Sequence, residues 1–180
     1  MNLPIEGVLL KKRGVIASVR LLERERDLAS VKTLQEEILY VLGNNDIFHP
    51  ADDADFENYF SNGFGIGVFD ADALICYAFA LWGNRSNSYC SLVGYDSAME
   101  SQALDYADIV VHTDYRGNSL HALCSRLMVQ LALDLDKQFV LAYVSPNNPY
   151  SLENLLRVGF RIIDTKLFDF GYRYIMRADT

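Results

Sequence analysis

A chain of 180 residues, 51% of them hydrophobic and with a mean hydropathy of +0.04, can bury one sizeable core and is short for two, so a single domain over residues 1–180 is expected. The formal charge of −8 and a pI near 4.8 exclude the broad positive field that nucleic acid or an anionic membrane needs in a partner, and they suit a cationic or neutral small molecule. No apolar run approaches a membrane span and the opening MNLPIEGVLLKKRG lacks a signal peptide's apolar region and cleavage site, so a cytoplasmic protein is expected.

Beyond that charged start, which is expected to be mobile, Val15 to Leu22 reads as a first strand. Asp27 then caps a helix to about Leu42, with Leu28, Val31, Leu34, Ile38 and Val41 at helical spacing and Gly43 as its stop. The loop GNNDIFHP leads to a shorter helix from Asp53 to Phe60, whose acidic first turn suits the helix dipole. Asp46, Asp52, Asp53, Asp55 and Glu57 do not follow the order of a calcium loop, and a capped, solvated helix start accounts for them. In GFGIGVFDADALICYAFALW two apolar runs flank Asp70, Ala71 and Asp72, the pattern of a β-hairpin. Its Gly63, Gly65 and Gly67 lead into a strand instead of a helix, which removes a dinucleotide-binding reading. From Gly83 to Tyr106 the chain is polar and irregular, either a plain surface loop or the border of an acceptor site.

The segment VVHTDYRGNSLHALCSRL, Val110 to Leu127, runs from a β-rich strand through a Tyr-Arg-Gly turn into a long amphipathic helix, Asn118 to about Asp136. Such a turn leaves backbone N–H groups unpaired at the helix start with the positive end of the dipole behind them, a place to hold phosphate. The helix carries Leu120, Leu123, Cys124, Leu127, Met128, Leu131 and Leu135 on one face and keeps only Arg126, Gln130 and Asp134 as a clear polar stripe, so it is central and mostly buried. Phe139 to Val144 is the next strand. SPNNPYSLENLLRVGF, Ser145 to Phe160, opens a further helix at a Pro-bounded turn and stops it at Gly-Phe; Arg161 to Phe170 and Tyr172 to Met176 are the last strands, turning near Gly171. Cys76, Cys90 and Cys124 are odd in number and set in apolar surroundings, the pattern of reduced core thiols, and His49, His112 and His121 lack metal-ligand spacing, so no metal is expected. Phe168, Phe170, Tyr172 and Tyr174 are core or a homodimer seam.

The two motif segments together resemble the acetyl-coenzyme A binding half of the GNAT superfamily of N-acetyltransferases. Val111, Tyr115, Arg116 and Gly117 fall in register with the family's Val-x-Pro-x-Tyr-Arg-Gly-x-Gly-x-Gly/Ala, and Asn148, Ser151, Gly159 and Phe160 with its Asn-x-x-Ser and Leu-Gly-Phe. Thr113 stands where proline is usual, and Ser119 and His121 replace the two phosphate-loop glycines. The His121 ring is left with two places, near the phosphate as an extra donor or facing outward.

The resemblance implies an α/β fold: a mixed, mostly antiparallel sheet of about seven strands with helices on both faces, splayed between the fourth strand (through Val111) and the fifth (Phe139–Val144). It implies acetyl-CoA as acyl donor and a small-molecule or peptide amine as acceptor. Arg116, Gly117, Asn118, Ser119, Leu120 and His121 would surround the pyrophosphate, and the edge at Val110 and Val111 would pair with the pantetheine arm. A free N–H on a bulged fourth strand would serve the oxyanion. Asn148, with Ser151, would reach the arm or merely cap its helix. Asp108 is the candidate base, or a bland strand-end carboxylate. Where many members place an acidic tyrosine this chain has Leu155, which cannot protonate a thiolate; Tyr150 or water is left to do so. The alternatives are an inactive acyl-CoA-binding module, a transferase for longer acyl groups, and an unrelated α/β protein.

Overall fold

The computed structural model describes residues 3, 5–43, 47–83 and 87–180. Its strands are β1 (Gly7–Leu10), β2 (Val15–Leu21), β3 (Gly63–Asp70), β4 (Ala73–Trp82), β5 (Ala103–Val111), β6 (Phe139–Val144), β7 (Arg161–Phe168) and β8 (Gly171–Asp179). They form one eight-stranded sheet in the order β1-β2-β3-β4-β5-β6-β8-β7, and only the β5–β6 pair is parallel. The helices are α1 (Arg24–Leu42), α2 (Asp53–Ser61), α3 (Tyr89–Leu92), α4 (Ser97–Ser101), α5 (Leu120–Asp134) and α6 (Pro149–Arg157). The expected mixed, mostly antiparallel α/β sheet is present, with one more strand than expected.

Alternation along the strands divides the core between two faces. Leu104, Tyr106, Val140 and Ala142 pack beneath α5 and α6 with Leu120, Cys124, Met128 and Leu155. Tyr77, Phe79 and Val110 point the other way, against Val31, Leu34 and Ile38 of α1 and Phe56 of α2. Cys76 and Cys124 are both fully buried, and their sulfurs lie 3.7 Å apart as free thiols.

Several expectations change. The start of the chain is not a loose arm: Gly7–Leu10 pairs with Val15–Ile16–Ala17–Ser18 as an edge strand, because Leu10 has a core site to fill and is 0% exposed. Asp27 does not cap α1. The cap position is Glu23, without a side-chain bond, and Asp27 reaches back from the first turn to accept the Glu23 N–H at 2.8 Å. It grips Arg20 through two bonds of 2.7 and 2.8 Å, and these hydrogen bonds hold its buried carboxyl well below the usual range despite desolvation. At α2 the acidic start is a capping box, Asp52 accepting from Asp55 N and Asp55 from Asp52 N; Asp46 lies outside the described residues. The stretch after Gly83 is not irregular throughout. Among the described residues it holds α3 and α4, and β5 begins at Ala103, so Asp108 is in mid-strand. Asp105 disguised the strand as polar; its carboxylate is buried and accepts the Tyr89 N–H at 2.9 Å.

The feature that makes room is in β5. Parallel pairing with β6 ends at Tyr106↔Ala142, and the β4 register shifts between Phe79↔Asp108 and Ala80↔Tyr106, leaving Ala107 as an extra residue. One inserted residue reverses the parity of everything beyond it. Leu104 and Tyr106 therefore face α5, whereas Asp108 and Val110 face α1 and α2. Past the bulge β5 and β6 diverge, which is the expected splay.

Candidate active site

A cavity of about 310 Å³ occupies the splay and passes from one face of the sheet to the other. Tyr106, His121, Ser151 and Leu155 line it on the α5–α6 side; Asp108, Asp55, Asn58, Tyr143, Phe170 and Arg173 line it on the α2 side.

Asp108 is half-buried, its carboxylate in the cavity wall. Burial pushes this carboxyl up to about 7, and nearby Asp55 adds to the rise; Tyr77 Oη, donating at 3.1 Å, and the Ile109 N–H oppose it. A carboxylate that exchanges a proton near neutrality can act as a base, and the bland strand-end placement does not hold.

The cavity's other face carries a chain of hydrogen bonds. Ser125 Oγ donates to Tyr106 Oη at 3.3 Å and shares its contacts with His121 Nδ1 at 3.3 Å and His121 O at 3.0 Å; His121 Nε2 meets Ser151 Oγ at 3.0 Å. The ring of His121 thus faces inward, toward α6, and not out to solvent. Burial pushes it down to about 4, so near neutral pH it is uncharged. Cys124, one turn away on the same helix, belongs to the core. Tyr150 is 81% exposed and does not line the cavity, so it is not brought to the position that Leu155 leaves without a hydroxyl.

The loop before α5 keeps a run of amides unpaired. Tyr115 closes a 3₁₀ turn (Thr113–Tyr115) and donates to Asp70 Oδ2 at 2.8 Å. The first bond into α5 runs from Leu123 N to Ser119 O, and the N–H groups from Gly117 to Ala122 have no hydrogen-bond partner among the described residues. Gly117 has φ 81°. Ser119, exposed, has φ 60° and ψ 24°, the left-handed conformation that glycine adopts without cost, and its hydroxyl makes no cap. Arg116 is exposed beside it, and Leu120 is buried beneath.

What covers this loop leaves no sign in the sequence. The β1–β2 turn brings Lys12 so close that a Cβ at Gly117 would collide with Lys12 Nζ, and it lays the Arg13 guanidinium 4.0 Å from the centre of the Tyr115 ring. Asn118 fastens the two: its Oδ1 accepts the Lys12 N–H at 3.1 Å and its Nδ2 donates to Tyr115 O at 2.9 Å. The Asn118 side chain is therefore a tether, and only its N–H points to a ligand role. Val110 is buried against α1 and Val111 packs toward α5, so each offers backbone along the open strand edge. Asn148 caps α6 by accepting Ser151 N at 3.1 Å and donates to Ile47 O at 3.4 Å, a helix-capping role, while also lining the cavity. Gly159 (φ 102°) closes α6 with Phe160 N bonded back to Leu155 O, which seats Phe160 in the core.

Of the aromatic tail, Tyr174 packs against the main core and Phe170 lines the α2 side of the cavity. Phe170 stacks on His49 with ring centres 4.1 Å apart, Arg173 lies over Phe170 at 4.8 Å, and Tyr172 is exposed.

No family model matches the sequence, and no curated protein matches it. In structure the chain is similar to the GNAT domain of PAT from S. lividans, at 14% identity and a TM-score of 0.72 over 97% of this chain and 96% of that one. It is similar to the aminoglycoside acetyltransferase AAC(6')-Ib in complex with coenzyme A and kanamycin (16%, TM-score 0.64, 91% and 94% covered). It is also similar to the ribosomal-protein-S18-alanine N-acetyltransferase from Escherichia coli (11%, TM-score 0.67, 91% and 93% covered). At such identities the likeness is one of fold, and the fold is that of the GNAT acetyltransferases.

Proposed function

We propose that this GNAT-fold chain is a single-domain N-acetyltransferase that moves an acetyl group from acetyl-CoA to a primary amine in a ternary complex. The observation that carries the reading is the through-going cavity at the Ala107 bulge, with a titrating carboxylate on one side and an unpaired run of amides leading into it on the other. The solved structures with coenzyme A or acetyl-CoA bound support that donor. In a chain of net charge −8, Arg116, Lys12 and Arg13 supply the local cations that a diphosphate requires. The N–H groups of Gly117, Asn118, Ser119, Leu120 and His121 receive its oxygens, and the open edge at Val110 and Val111 receives the amide-rich arm.

The amine nitrogen attacks the thioester carbonyl: a C–N bond forms, the C–S bond breaks, and one amine proton passes to Asp108. A backbone N–H freed by the bulge stabilises the oxyanion. With Leu155 inert and Tyr150 outside, the proton for the thiolate comes from Tyr106, whose oxygen accepts from Ser125 and whose own proton is thereby left for the cavity; Ser151, His121 and Ser125 refill it in turn.

The test is release of free thiol from acetyl-CoA with a panel of amines, alongside the melting temperature with coenzyme A. Amine-dependent thiol release with a melting-temperature rise is expected. A rise without thiol release would favour the second reading, an acyl-CoA-binding module, for which Leu155 and the outward Tyr150 speak. Absence of both signals would overturn the proposal.

A further inference from the structure

The cations of this chain are unevenly placed. Lys11, Lys12 and Arg13 lie in the β1–β2 turn, Arg116 stands just ahead of α5, and all are exposed. The turn is fastened to that loop: Asn118, only 9% exposed, accepts the Lys12 N–H, the Lys12 ammonium rests against Gly117, and the Arg13 guanidinium lies over the Tyr115 ring. This is the N-terminal end of a helix, the positive end of its dipole, where a cation is unfavourable and neighbouring like charges add to the cost. With 24 acidic residues to 16 basic ones the chain has carboxylates to spare, and it pairs cations with them elsewhere, as Arg20 with Asp27 and Arg161 with Asp179. Among the described residues, no carboxylate pairs with Lys11, Lys12, Arg13 or Arg116. Asp70 also meets Tyr115, but it accepts the hydroxyl at 2.8 Å and does not pair with Arg13.

A cluster of positive charge that the fold leaves uncompensated is compensated by what binds there. In the acetyltransferase reading the amides ahead of α5 face the diphosphate of the acyl donor. Coenzyme A carries a second anion on the adjoining ribose: the 3′-phosphate, a monoester with about two negative charges near neutral pH. Resting on that reading, we infer that the β1–β2 turn is the seat of this 3′-phosphate, with Lys12 and Arg13 as its ligands, and that the turn makes the protein select acyl donors that carry it. The chemistry of both side chains suits the role. A guanidinium stacked on a ring keeps its N–H edge free for a bidentate grip on phosphate, and the ammonium has three N–H groups to offer. Because Asn118 already holds the turn in place, little ordering is left to oppose binding.

The experiment compares acetyl-CoA with acetyl-dephospho-CoA, which lacks only that phosphate, by amine-dependent thiol release, and coenzyme A with dephospho-CoA by melting temperature. For the wild-type protein KM should be about tenfold lower for acetyl-CoA at low ionic strength, the size of two exposed ion pairs, with kcat alike; the gap should narrow as salt is added. Lys12→Gln and Arg13→Gln should each raise KM for acetyl-CoA more than for acetyl-dephospho-CoA, and Lys12→Arg should keep the preference. Equal KM values for the two acyl donors would overturn the inference and leave the acetyltransferase reading standing. Without thiol release from either donor that reading fails, and the melting temperature decides the inference alone: a larger rise with coenzyme A than with dephospho-CoA supports it, and equal rises or none overturn it.

Discussion

The two ends of β5 are built from similar residues and do different work. From Ala103 to Tyr106 the strand is zipped between β4 and β6 and buried; from Ala107 to Val111 it keeps β4, loses β6 and borders a cavity. One surplus residue, Ala107, separates them. The closed end is core and the open end borders the cavity, so on the proposed mechanism substitutions a few positions apart should fail in opposite ways.

The sharpest test of that contrast is Asp108→Asn. A general base contributes about 10²–10⁴-fold, so kcat should fall by that order, and the rise of wild-type kcat/KM with pH, centred on about 7, should disappear. Stability should move the other way. The folded pKa is raised, so the fold is penalised once the carboxyl ionises; the cost is absent below about pH 4, grows as pH rises and is complete above about 7. Asn avoids it, and the melting temperature of the variant relative to wild type should be higher at pH 8 than at pH 5. At the closed end Leu104→Ala should behave in reverse. Leu104 is fully buried, and denaturant unfolding should show a loss of ~2–5 kcal/mol with coenzyme A affinity unchanged where the protein is folded.

Tyr106 stands on the boundary. Tyr106→Phe keeps the ring and removes the oxygen that accepts from Ser125, so kcat should drop by about 10–100-fold with both KM values near wild type. An unchanged kcat would leave thiolate protonation to water. The smallest effect is expected away from β5, at the loop before α5. Ser119→Gly relieves a left-handed residue and should stabilise by about 1 kcal/mol in thermal or denaturant unfolding, with coenzyme A binding preserved or improved.

Most of the fold was legible from periodicity. Val15–Leu21, Asp53–Ser61 and Phe139–Val144 fall within a residue of expectation, since apolar spacing and caps are local signals. The loop before α5 was legible as well, because a strand, a glycine turn and a helix advertise unpaired amides. Asp108 was found as a residue but not in its setting. Its exposure to the cavity depends on a bulge, which is fixed by the partner strand and leaves no mark at Ala107. Lys12, Tyr106 and Arg173 were missed for a related reason. Each reaches its position through long-range pairing, and a lysine in a turn or a tyrosine in a strand carries no signal of where that pairing leads. Asn148 was legible only as an ambiguity, and the structure gives it the cap.

The tether at Asn118 joins the outermost hairpin of the sheet to the middle of the chain. One amide proton, that of Lys12, is held by a side chain whose other end secures Tyr115. Its hydrogen-exchange rate is consequently a clock for the distant turn: whatever orders or loosens the residues ahead of α5 will be read at the molecule's rim, more than 100 positions away in sequence.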